Sequence, residues 1–178
     1  MASNSTVSQA KGLPSKEINQ GGTATTEAQF IAAGVTTPLI LYYPGSSKLD
    51  KKPFRIYASG RCIAGSATPN FTVSIYHGIS STISSNTKLA TTSTIAIATT
   101  QGNWMLQSDC FWDSSSQRIE GLQKGFIYAT ALAQVINTAA MTAVDLSTEG
   151  LGLTITGTFG TGNAGNAAYV DVFEITML

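Results

Sequence analysis

The chain has 178 residues, 43% of them hydrophobic, and ten basic and ten acidic side chains that cancel to zero net charge. This is enough for one ordinary domain, alone or with an arm. Charged residues make up only 11%, against about 25% in an average protein. That excludes the broad basic footprint of a nucleic-acid binder and the charged, poorly hydrophobic signature of a disordered chain, and a surface with so few charges favours association.

Residues 1–32 are rich in Ser, Thr, Gln, Gly and Ala, and Gly21-Gly22 interrupts any regular element. Their apolar residues (Val7, Leu13, Ile18, Phe30) are sparse and keep no period. Such a segment cannot offset its ordering entropy alone, so an arm that orders on a neighbouring subunit is expected. It shows no basic stretch followed by an apolar one, so no signal peptide is expected.

After Pro38 the period becomes two. Leu39 to Tyr43 is an apolar run stopped by Pro44-Gly45. Phe54, Ile56, Ala58, Cys62 and Ala64 alternate with Arg55, Tyr57, Ser59 and Arg61, with Gly60 marking a bulge. Phe71, Val73 and Ile75 alternate with Thr72, Ser74 and Tyr76, and Ile95 and Ile97 with Thr94, Ala96 and Ala98. Trp104, Leu106, Cys110 and Trp112 share one parity, opposite Gln107 and Asp109. Leu153, Ile155 and Phe159 form another set, and Phe173, Ile175 and Met177 the last. Residues 125–144 carry no charge, but Thr130, Gln134, Asn137, Thr138 and Thr142 and the lack of a basic flank point to buried strands rather than a membrane span. Strict alternation means one wet and one dry face. Roughly eight or nine strands separated by Gly, Pro, Ser and Asn clusters predict an all-β antiparallel sandwich or barrel.

Candidate chemistry is thin. Residues 160–165 match GxGxxG, but a strand follows where the dinucleotide site needs a helix, so a hairpin loop is expected. His77 is the only histidine, which excludes a histidine-based metal cluster within one chain; it is expected half-buried at a strand end. Asp109 and Asp113 on one extended segment would be about 13 Å apart, beyond the about 5–9.5 Å of a glycosidase pair, unless the chain turns at Asp113 or Glu120 crosses from the next strand. Trp104 or Trp112 could offer a sugar-stacking platform, although their parity assigns at least one to the core. Tyr42, Tyr43, Tyr57 and Tyr76 suit a partner-facing surface. Cys62 and Cys110 match no zinc or redox spacing; reduced, half-buried thiols are expected, with a cross-strand disulfide as the alternative. The loop of Lys48, Leu49, Asp50, Lys51 and Lys52 is the densest charge cluster, suited to an acidic rim or simply to solvent. No catalytic, cofactor or metal residue is assigned.

The segments PLILYYPGSSKL, FRIYASGRCIAGSATPNFTVSIYHG, NWMLQSDCFW and GLGLTITGTFGTGNAGNAAYVDVFEITML resemble the jelly-roll head decoration (cement) proteins of tailed bacteriophages over roughly residues 35–178. The resemblance implies a non-enzymatic virion protein, a jelly-roll sandwich of about eight strands over residues 33–178 preceded by an extended arm over residues 1–32. Its partners would be itself, as a homotrimer, and the major capsid protein, with no nucleic acid, membrane or cofactor. It would be made in the host cytoplasm and placed on the capsid surface, bridging capsid subunits. The candidate contacts are Lys11, Leu13, Lys16, Ile18 and Phe30 of the arm, with Lys48, Lys51 and Lys52. The competing reading is a glycan- or receptor-binding sandwich of a tail fibre, which requires outward-facing aromatic residues in a cleft.

Overall fold

The computed structural model describes residues 18–19, 26–31, 38–43, 49–65, 69–92, 94–97, 101–128, 132–137, 144, 146 and 150–178. Among them are β1 (Ile18–Asn19), β2 (Ala28–Gln29), β3 (Ile40–Tyr43), β4 (Pro53–Ile63), β5 (Asn70–His77), β6 (Thr87–Thr91), β7 (Ile95–Ala96), β8 (Gly102–Asp113), β9 (Arg118–Tyr128), β10 (Leu132–Asn137), β11 (Leu151–Phe159) and β12 (Ala167–Met177). A single 3₁₀ turn, Ile83–Ser85, is the one helical element among the described residues.

Two antiparallel sheets result. The first runs β1-β12-β4-β8-β9-β10, the second β2-β11-β5-β6. β2 and β3 take successive stretches of one flank of β11, at Thr156–Gly157 and Leu151–Thr154. β6 and β7 likewise share one flank of β5. With each of those pairs counted as one edge strand, β1-β12-β4-β8 faces (β2/β3)-β11-β5-(β6/β7). This is the eight-strand jelly roll, with the β9–β10 hairpin added beyond β8. The uncharged stretch 125–144 accordingly supplies strand, the end of β9 and all of β10. No helix among the described residues is long and apolar enough to cross a membrane.

The alternation read from the sequence is realised in the first sheet. β4 buries Phe54, Ile56, Ala58 and Cys62, and β8 buries Trp104, Leu106, Cys110 and Trp112. Both tryptophans are therefore core residues, and neither forms a sugar platform. Phe71, Val73, Ile75, Leu153, Ile155 and Phe159 close the core from the second sheet.

Three expectations change. The segment 160–165 is a corner between sheets rather than a hairpin, because both flanks of β11 are occupied by β5 and β2/β3 and the next strand must pair elsewhere. The bulge lies across from Gly60, in β12, where the register slips between Val170 and Val172. The parity of β12 switches there, from buried Ala168 and Val170 to buried Phe173 and Ile175. Gly60 itself is needed for space: a Cβ would overlap the Tyr169 carbonyl and the Trp104 ring. The Trp104 indole N–H uses that space to donate to the carbonyls of Arg61 (3.2 Å) and Tyr169 (3.1 Å), next to the bulge.

Third, Ile18–Asn19 and residues 27–31 of the leading segment are tied to the roll. β1 pairs with Ala167 and Ala168, and β2 with Thr156 and Gly157. Phe30 donates its N–H to Ile155 O (3.0 Å) and accepts from Leu39 N (2.7 Å). Its ring is 1% exposed and stands 6.0 Å from that of Trp104. Phe30 is thus a core residue, not an outward partner contact. Two-residue strands and a single buried ring outside them leave no periodic trace in a sequence, so the segment carries no local signal of its pairing.

Candidate interaction surface

The outer face of the first sheet carries two ion pairs of one design. On β4, Arg55 makes a fork-to-fork pair with Asp109 of β8, whose second oxygen also accepts from Gln107 (3.1 Å). Arg61 does the same with Asp171, the bulge residue, at 2.8–3.2 Å, and lies 4.8 Å from the Tyr169 ring centroid. Hydrogen bonding to the carboxylates raises both guanidinium pKa values further. A shallow groove of about 340 Å³ runs between the pairs, walled by Tyr57, Ser59, Asn103, Met105 and Asp171.

The second sheet's outer face is organised by Glu27, just before β2. Its carboxylate accepts from Thr156 Oγ1 of β11 and Tyr76 OH of β5 (2.8 Å), and lies 3.6 Å from Lys88 Nζ of β6. One side chain of the leading segment therefore spans three strands. Burial pushes the Tyr76 phenol pKa up. Tyr76 and Tyr43 are buried, Tyr57 is half-buried, and of the four tyrosines assigned to a partner surface Tyr42 alone is well exposed, at 47%. Tyr42 and Ile79 wall a cavity of about 510 Å³ floored by Gly78, Gly150 and Gly152 and reached by half-buried His77.

The remaining candidates have structural roles. Asp109 is engaged by Arg55. Asp113 accepts from the backbone N–H (3.0 Å) and hydroxyl (2.7 Å) of Ser115 and from Ser116 Oγ (3.2 Å), which holds its carboxyl below the usual range. Asp113 is thus a turn-forming aspartate. Cys62 and Cys110 are free and buried. They sit opposite Gly102 and Phe54 respectively, so about eight strand positions at about 3.3 Å each separate them, far beyond disulfide reach. Burial raises both thiols, Cys62 to about 12. Among the described residues no three His, Cys, Asp or Glu side chains cluster to hold a metal.

Of the partner contacts expected from the sequence, Lys51 and Lys52 are exposed. Their loop is pinned by fully buried Leu49, by Lys51 N–H to Trp112 O (2.8 Å) and by Asp50 Oδ1 accepting from Ser114 N–H (2.9 Å). Ile18 contributes backbone pairing in β1. Lys11, Leu13, Lys16 and Lys48 lie outside the described residues. Sequence reasoning missed Glu27, Asp171 and Leu49. The parity switch between Val170 and Phe173 could have revealed Asp171; nothing local marks the other two. No protein-family model matches the sequence, and no curated protein matches it.

Proposed function

We propose that this is a non-enzymatic structural protein of a tailed-bacteriophage virion, decorating and cementing the capsid by bridging major capsid subunits. The observation that carries the proposal is the jelly roll itself, closed by its own leading segment. Five of its titratable side chains (Arg55, Arg61, Asp109, Asp113 and Asp171) are engaged in ion pairs and turns within the chain. A surface with few charges, six of them held in ion pairs within the chain, has little desolvation cost when a large interface covers it. The leading residues up to β2 no longer serve as one bridging arm in this reading. Bridging falls to residues 1–17, with Lys11, Leu13 and Lys16, and the exposed Lys51–Lys52 loop supplies a second contact. A homotrimer on the shell is the form that the resemblance implies.

The glycan-binding alternative loses its tryptophan platform, since Trp104 and Trp112 are both in the core. The test is to incubate the purified chain with shells lacking it, and to image the particles. Stoichiometric density on the outer capsid surface is expected; the proposal fails if the chain stays in the supernatant or localises to the tail.

A further inference from the structure

A jelly roll has four sheet edges, and here three are blunted in recognisable ways. β1 is two residues long. The β2/β3 edge is split into two- and four-residue pieces, with Pro38 bridging back to Ile31 between them. The β6/β7 edge is broken between Thr91 and Ile95, carries Lys88, and pairs with β5 through a register slip between Ile75 and Tyr76.

The fourth edge has none of these devices. β10, Leu132–Asn137, is six residues long, pairs with β9 in unbroken register, and contains no charge, Pro or Gly. It lies within the twenty-residue uncharged stretch 125–144. It also belongs to the hairpin that the eight-strand roll does not need for closure, and among the described residues nothing pairs with its second edge.

We propose that β10 is a self-association edge, through which two copies of this chain join their first sheets into one continuous antiparallel sheet. A second copy is the occupant that the charge pattern fits: an antiparallel strand is complementary to itself across a two-fold axis, and a strand without charge meets no like-charge repulsion there. Directly opposite residues share a face, so a two-fold axis normal to the sheet must place one residue opposite its own copy. That leaves two full registers. In one, Gln134 meets Gln134 and Leu132 faces Ile136; in the other, Val135 meets Val135 and Gln134 faces Ile136. This goes beyond the cement role and does not rest on it.

The test uses the full chain. Sedimentation over a wide concentration range is expected to show reversible association. Under oxidised glutathione, either Gln134→Cys or Val135→Cys is expected to give covalent dimer, while Ser81→Cys, at an exposed loop position, does not. The native thiols are buried and give no background. Gln134→Lys/Ile136→Lys places like charges opposite one another in both registers and is expected to weaken association by roughly tenfold or more. If that variant fails to fold, the cysteine pair still decides. A chain that sediments as a monomer throughout, or that associates without cross-linking at either position, overturns the proposal; shell binding by such a monomer would leave the cement reading standing.

Discussion

The first sheet buries one face of β4 and β8 and leaves the other wet, whereas the second buries both faces of β11 from Leu151 to Gly157 without a break. In the first sheet, Gly60, Trp104 and the Asp171 bulge lock β4, β8 and β12 to each other through side chains of the sheet itself. The second depends on residues far away in sequence: Phe30 on its inner side and Glu27 on its outer side both come from the leading segment. The lesson is that a segment too polar to fold alone can still be integral, if it contributes one buried ring, one carboxylate and a few backbone hydrogen bonds at the right places.

Substitutions can break this contrast in order of expected effect. Phe30→Ala removes a ring packed on Trp104 and is expected to cost about 3–5 kcal/mol in denaturant unfolding; a loss under about 1 kcal/mol, the size of a surface substitution, would mean that the leading segment is dispensable. Gly60→Ala tests the first sheet's own lock. Its Cβ meets backbone as well as the Trp104 ring, and overpacking of that kind costs about 1–3 kcal/mol or more.

Alkaline pH tests the shared core. The folded-state pKa of Cys62 is raised to about 12, so its contribution is complete below the unfolded thiol's pKa of about 8.5 and is lost as pH rises towards the folded value. Unfolding midpoints are expected to fall over that window, and a Cys62→Ala chain to fall less. Glu27→Gln keeps the shape but removes the charge facing Lys88 and weakens two hydrogen bonds; about 1–2 kcal/mol is expected, reduced by the partial exposure of Lys88. Arg55→Ala and Arg61→Ala bracket the low end. Their pairs are about two-fifths exposed, and each is expected to cost only about 0.2–1 kcal/mol, shrinking further with salt.

The same contrast explains what the sequence could reveal. Long period-two runs such as Phe54 to Ala64 and Trp104 to Trp112 identify strands, inward faces and the all-β class, because alternation is a local consequence of the pleat. The jelly-roll order, the corner at 160–165 and the docking of residues 26–31 depend on which strand lies beside which, and no local pattern encodes that. Asp109 was visible as an outward carboxylate but not as the partner of Arg55, fifty-four residues away. Glu27, in a featureless stretch, gave no hint that it bridges three strands.

Ile18–Asn19 and residues 27–31 pair with or pack into the roll, and the proposed function assigns the shell contact to residues 1–17. Co-sedimentation of a chain lacking residues 2–17 with undecorated capsids tests that division most directly. The predicted result is a cooperatively folded protein that no longer pellets with the shells; a truncated chain that still pellets at full stoichiometry contradicts it.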